Sequence, residues 1–145
     1  EVKLHTYEGN TVIVLIGNVT KANIGALNYA RSIGDNVIAM HVSLDEDEQK
    51  EKEIASEFKV KFPDVRLSIL HSAYRSIETP IIRYVDMVSK EALKRNFTTT
   101  VIVPQFVPRR RWQNILHNQT NLRLNFRLSW REHIIVSTYS YHLKK

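Results

Sequence analysis

Five runs of apolar and β-branched residues, each of strand length, are separated by stretches that repeat with a helical period. The runs cover residues 11–17, 36–44, 65–72, 98–106 and 133–141 and are rich in Val, Ile, Thr or Tyr. Several are nearly continuous in apolar character rather than alternating. That is the pattern of strands covered on both faces, as in a parallel sheet.

The intervening stretches carry helical stripes and end signals. Ala22, Ala26 and Ala30 recur at i, i+4 and i+8, and Gly34 follows as a stop signal. In the second stretch Asp45, Glu46, Asp47 and Glu48 place a cap and acids at the positive end of a helix, and Lys59 and Lys61 close it. Ile54, Phe58 and Phe62 are its buried stripe, so its charge run reads as a solvated face. The third stretch opens with Thr79 as cap and Pro80 as first-turn proline, then sets Ile81, Val85, Val88 and Ala92 on one side. Residues 121–131 fit two patterns. Leu122, Leu124, Phe126, Leu128 and Trp130 alternate as in a strand, whereas a helix stacks Arg123, Arg127 and Arg131 on one stripe. Parallel neighbours need a crossover, usually helical, which favours the helix. The order βαβαβαβαβ predicts an α/β fold, a doubly wound, five-stranded parallel sheet of Rossmann-like type in a single domain over residues 1–145.

Composition narrows the chemistry. A chain of 145 residues suits one domain and can bury a core unaided. It has no cysteine, which excludes disulfides, zinc–thiolate sites and thiol catalysis. No stretch approaches the roughly 20 apolar residues of a membrane helix. The sequence opens Glu1-Val2-Lys3 without methionine or signal peptide and reads as a piece of a longer polypeptide. Asn18, Asn96 and Asn118 head Asn-x-Thr sequons, which without a secretion signal read as chance. The net charge of +6 is uneven. Residues 1–91 hold 11 Lys/Arg against 14 Asp/Glu, and residues 92–145 hold 10 against 1. Such a basic third is either an anion site or a solvated face.

In doubly wound folds ligands bind beyond the carboxyl ends of the strands, so the segments at those ends come next. Gly17-Asn18-Val19-Thr20 follows the first strand, with a glycine for close backbone approach and a helix-capping threonine. Residues 70–76, LHSAYRS, follow the third. His71, Ser72, Tyr74, Arg75 and Ser76 sit there just ahead of a helix start, whose free N–H groups and dipole favour anions, and Arg75 adds a planar fork for phosphate oxygens. The plainer reading makes Ser72 and Ser76 caps and lets His71 pack. The segment after the fourth strand, PQFVPRRRWQNILHNQT at residues 104–120, joins Arg109, Arg110 and Arg111 to Trp112, Asn114, His117, Asn118 and Gln119, with no acid. Arginines meet phosphates, and aromatic and amide groups suit nucleobases; a surface facing anionic lipid or a partner is the alternative.

Several enzymatic signatures are missing. There is no P-loop, no G-x-G-x-x-G and no G-x-S-x-G, and every glycine lies at or before Gly34. The six histidines show no metal-ligand spacing, and the strand-end segments hold almost no carboxylate to serve as general base or magnesium ligand. The sequence therefore predicts a nucleotide sensor, with no catalytic residue, no metal and no cofactor.

The strings NTVIVLIG, LHSAYRSI, VIVPQFVPRRRWQNILHNQ and the closing YHLKK resemble the C-terminal cytoplasmic domain of KimA-like potassium importers, Gram-positive members of the amino acid–polyamine–organocation superfamily. The similarity covers essentially the whole chain, and its third and fourth strings are long and unusual. It implies a fold similar to universal stress proteins, and a homodimeric domain attached to the transmembrane part of the same polypeptide at the cell membrane. It further implies binding of cyclic di-AMP that inhibits transport, with no role for nucleic acid. Universal stress proteins that bind ATP carry a glycine-rich motif after the fourth strand; RRRWQNILHNQ stands there instead, which fits a nucleotide whose phosphates are met by arginines. On that footing Asn18, Val19, Met40, His41 and Val42 line the base pocket. His71, Ser72, Tyr74, Arg75 and Ser76 hold phosphate or ribose. Gln105, Arg109, Arg110, Arg111, His117 and Asn118 close over the ligand. The competing readings are an ATP- or AMP-binding module of universal-stress-protein type and a basic nucleic-acid-binding domain.

Overall fold

A computed structural model of the chain describes residues 4–16, 21–43, 48–71, 78–105 and 133–140; at residues 21, 22, 48, 78, 104, 105 and 140 it describes the backbone alone. The expected helix over residues 121–131 lies outside the described residues. The elements run β1 (Gly9–Ile16), α1 (Lys21–Ile33), β2 (Asn36–Ser43), α2 (Glu48–Lys61), β3 (Arg66–His71), α3 (Glu78–Lys94), β4 (Phe97–Gln105) and β5 (Ile134–Ser140). All four strand pairings are parallel, in the order β3-β2-β1-β4-β5. The α/β class and the doubly wound parallel sheet expected from the sequence are what the chain forms.

Alternation along the strands divides the core into two layers. Ile13 and Leu15 of β1, Ile38, Met40 and Val42 of β2, and Val101 and Val103 of β4 pack with Ile81, Ile82 and Val85 of α3. Val12, Val14 and Ile16, Ala39 and Ile102 face the other way, onto Ala26, Leu27 and Ala30 of α1 and onto Phe58 and Phe62 at the end of α2. Val12 through Ile16 are wholly buried, which accounts for the continuous apolar run that marked the strand in the sequence. The stripes of α2 and α3 bury as their periods require: Ile54, Phe58 and Phe62 are 6%, 1% and 4% exposed, and Ile81 and Val85 are fully covered. The third helix begins at Glu78, so Thr79 and Pro80 both stand inside its first turn, where a missing N–H costs nothing.

Two helix ends differ in kind from one another. α1 stops at Ile33, and the Gly34 N–H still donates to the Ala30 carbonyl at 2.9 Å. Gly34 does not adopt positive φ. A Cβ there would meet Val12 Cγ2 at 2.6 Å, so the glycine lets the chain pass close over β1. At the end of α3 the left-handed position is taken by Asn96, at φ 58°. Its backbone and side chain then organise the arm of residues 4–8: His5 Nε2 donates to Asn96 Oδ1 at 2.8 Å, Asn96 Nδ2 donates to the Thr6 carbonyl at 3.1 Å, and the Glu8 N–H donates to the Asn96 carbonyl at 2.8 Å. The Asn96 sequon is thus engaged in holding the arm.

Candidate functional site

Parallel strands bring all their carboxyl ends to one edge. Ile16, Ser43, His71, Gln105 and Ser140 end the five strands there. The strand order reverses its direction of growth between β1 and β4, so the crevice such folds use for ligands opens beyond Ile16 and Gln105. The segments that continue from these two ends are residues 17–20 and the arginine-rich stretch beginning at residue 106.

The described part of this edge is a polar cluster on the side of the sheet that α2 covers. His41 and Ser43 share that side by the two-residue period of β2, and His71 of β3 joins them: Ser43 pairs with His71 in the β2–β3 register and Ile16 with His41 in the β1–β2 register. His41 is 5% exposed, and its Nδ1 lies 3.3 Å from the Ile16 carbonyl. A carbonyl only accepts, so Nδ1 carries the proton and His41 ties the last residue of β1 to β2. Glu51, the fourth residue of α2, reaches the cluster with a side chain 18% exposed, and its Oε1 is 2.8 Å from His71 Nε2. The Ser43 hydroxyl donates to the same carboxylate. Chiefly this bond, with the hydrogen bond and charge of His71 and the charge of His41 behind it, holds the Glu51 carboxyl below its ordinary value against a contrary push from burial. Serine and imidazole both address the carboxylate, which differs from an acyl-transfer triad, where the imidazole stands between the other two. Among the described residues no three His, Asp or Glu side chains gather as metal ligands.

The edge accommodates the sequence-derived candidates unevenly. His41 and His71 come together through Glu51, as described. Met40 and Val42 point to the opposite face of β2 from His41 and are 0% and 1% exposed within the α3 layer. Gln105 ends β4, its backbone in register with Ser140. Asn18, Val19, Ser72, Tyr74, Arg75, Ser76, Arg109, Arg110, Arg111, His117 and Asn118 lie outside the described residues. Ser43 and Glu51 were not anticipated. Ser43 had a signal, a hydroxyl at a strand's carboxyl end, whereas Glu51 was hidden in the acidic run of α2.

Tyr139, the penultimate residue of β5 and in register with Pro104, closes the other flank of the edge. It packs against the α1–α2 layer, and its hydroxyl stands where a side chain on Gly25 of α1 would begin. Gly25 is therefore the gap in α1 through which Tyr139 reaches the core.

No helix among the described residues is long and apolar enough to cross a membrane. A family model described as the KimA potassium transporter C-terminal domain matches residues 8–141. The potassium transporter KimA of Bacillus subtilis (strain 168) is 40% identical over 138 residues, which are 95% of this chain and 22% of that relative. The chain thus spans under a quarter of the curated relative it matches. With a family match over residues 8–141 and a relative 40% identical across 95% of this sequence, the chain belongs to the family of KimA potassium transporter C-terminal domains.

Proposed function

We propose that this domain is the cytoplasmic regulatory part of a membrane potassium transporter, joined to a transmembrane part in the same polypeptide, and that it binds cyclic di-AMP to inhibit transport. The observation that carries the reading is the position of the basic segment: Arg109, Arg110 and Arg111 follow directly from the β4 end of the switch-point crevice. Two phosphodiesters need concentrated positive charge, and guanidinium forks supply it with directed hydrogen bonds. Arg75 stands in the segment following β3 on the same edge. Residues 17–20 follow β1 in the sequence and His41 lies near the end of β2, and a purine is received beside them. The resemblance to the KimA-like family supports a homodimer with a universal-stress-protein-like arrangement. The domain acts as a sensor: the arginines hold the ligand and no group is assigned to its turnover.

Calorimetry and thermal shift on the chain test this. A ligand that binds only the folded state at 100 times its dissociation constant stabilises by about 2.7 kcal/mol, a rise of several degrees for a domain of this size. Cyclic di-AMP is expected to give that rise, ATP at equal concentration little, and the cyclic dinucleotide to be recovered intact after incubation with Mg²⁺. A larger response to ATP would make the domain an ATP-binding universal stress protein. Tight single-stranded RNA binding that survives 200 mM salt, with no dinucleotide binding, would assign the basic third to nucleic acid, because contacts to a polyanion weaken steeply between about 50 and 200 mM salt.

A further inference from the structure

The polar cluster at the carboxyl edge presents a carboxylate in a fixed position. Glu51 stands in the first turn of α2, and donors from two different strands hold it: His71 Nε2 at 2.8 Å and the Ser43 hydroxyl. A carboxylate only accepts, so Nε2 of His71 carries the proton of that bond. The two oxygens of a carboxylate offer about four acceptor positions, and these donors take two of them. The Glu51 side chain is 18% exposed, so the carboxylate is held in place yet remains within reach of a ligand.

Its place along the edge decides what it can meet. β2 lies beside β1, and the crevice opens between β1 and β4. The end of β2 is thus one and a half strand spacings, about 7 Å, from the middle of the crevice. The strand ladders tie the two together: Ile16 at the end of β1 pairs with His41, whose Nδ1 donates to the Ile16 carbonyl, and Ser43 pairs with His71. Glu51 repels a phosphate, so the ligand group that it receives is a neutral donor. In a nucleotide the donor nearest the phosphate is a ribose hydroxyl, whereas the amino group of adenine lies at the far end of the purine. A 3′,5′-linked cyclic dinucleotide keeps the 2′-hydroxyl of each ribose free. Doubly wound folds use the same pairing, a carboxylate at the ribose 2′-hydroxyl with the phosphates at the crevice.

We infer that Glu51 binds ribose: its carboxylate accepts the 2′-hydroxyl of a nucleotide whose phosphate lies in the crevice, and Ser43 and His71 are the positioning residues that aim it. The inference rests on the proposed ligand reading and adds to it a means of telling ribose from deoxyribose.

Calorimetry on the 145-residue chain with cyclic di-AMP and with its bis-2′-deoxy analogue tests this. The parent should bind the deoxy analogue about tenfold or more weaker, the loss expected for a hydrogen bond to a charged group. Glu51→Ala should bind the two ligands within about twofold of each other, which closes a double-mutant cycle between carboxylate and hydroxyl. Glu51→Gln keeps the shape and a neutral acceptor, so its discrimination should fall between the two. A Glu51 that merely supports the fold would weaken both ligands by the same factor and leave their ratio unchanged. Parental discrimination in Glu51→Ala, or in Glu51→Gln where the alanine variant does not fold, would overturn the inference and leave the proposed function standing. A parent that binds both ligands equally would do the same. A parent that binds neither would remove both readings.

Discussion

Gly25→Ala is the substitution whose sign the structure decides against the local rule. In the interior of an exposed helix, replacing glycine by alanine stabilises by about 0.8–1.0 kcal/mol, through lost unfolded-state freedom and better helix propensity. Gly25 lies in α1, residues Lys21–Ile33, so propensity alone forecasts a gain. The Tyr139 ring opposes it. A Cβ on Gly25 would collide with the Tyr139 hydroxyl and stand 3.1 Å from Cζ and 3.4 Å from Cε1. Forcing an extra methyl into a filled layer costs about 1–3 kcal/mol. The net is a loss of about 1 kcal/mol, or about 3 °C in melting temperature for a domain of this length. In a Tyr139→Phe background the colliding oxygen is gone and the remaining ring contact is merely tight, so the same substitution should now stabilise, by about 0.5 kcal/mol. Thermal melts of the four proteins of this double-mutant cycle read the change of sign directly, with a coupling of about 1.5 kcal/mol between the two sites. Equal shifts in both backgrounds, or a rise on Gly25→Ala alone, would refute the placement of β5 against α1.

Other outcomes follow from single residues. The folded Glu51 carboxyl titrates below its ordinary value of 4.5, so its stabilising contribution is present above the unfolded-state value and is lost as pH falls through the folded one. Melting temperatures of the parent and of Glu51→Gln should therefore differ near neutral pH and converge in acid below about pH 4.5; a gap that widens in acid would contradict the Ser43 and His71 bonds. Asn96→Ala should destabilise by about 1–2 kcal/mol, since alanine at positive φ is strained and the arm loses its anchor. Asn96→Gly, free of the strain, should lose less in denaturant unfolding, and equal losses would mean that the side-chain bonds alone matter. Arg75→Ala is expected to weaken cyclic di-AMP by about ten- to a hundredfold, the worth of a charged hydrogen bond to phosphate, with the ligand-free melting temperature unchanged. Unfolding of that variant would make Arg75 a structural residue.

The three central strands, β1, β2 and β4, were legible because each is an apolar run that both helical layers cover. The sequence placed β2 at residues 36–44 against the observed Asn36–Ser43, and β4 at 98–106 against Phe97–Gln105. The helical stripes were legible for the same reason, their period matching the face they bury. Glu51 was not. Its significance depends on the two strand ends lying under the start of α2, and a run of acids and lysines reads as solvent-facing wherever no cross-element contact is visible. Neither was the purpose of Gly25, whose partner is 114 positions away. The grouping of Met40, His41 and Val42 in one pocket set aside the pleat: neighbours along β2 face opposite layers, and only His41 looks toward α2. Gly34 ended its helix as expected, but through close packing on Val12 rather than through a left-handed turn.

The central strand bears on how any signal could cross this domain. β1 runs from the arm to the ligand edge, eight residues or about 26 Å of extended chain. Its residues are locked in register to β2 on one side, from Thr11 to Ile16, and to β4 on the other, from Gly9 to Val14. Sliding it by one residue would break both ladders and turn Val12, Val14 and Ile16 into the wrong layer. Although it joins the arm directly to the carboxyl edge, β1 behaves as a fixed axle. Only the outer strands lack that double lock: β3 and β5 each have a neighbour on one side alone among the described strands.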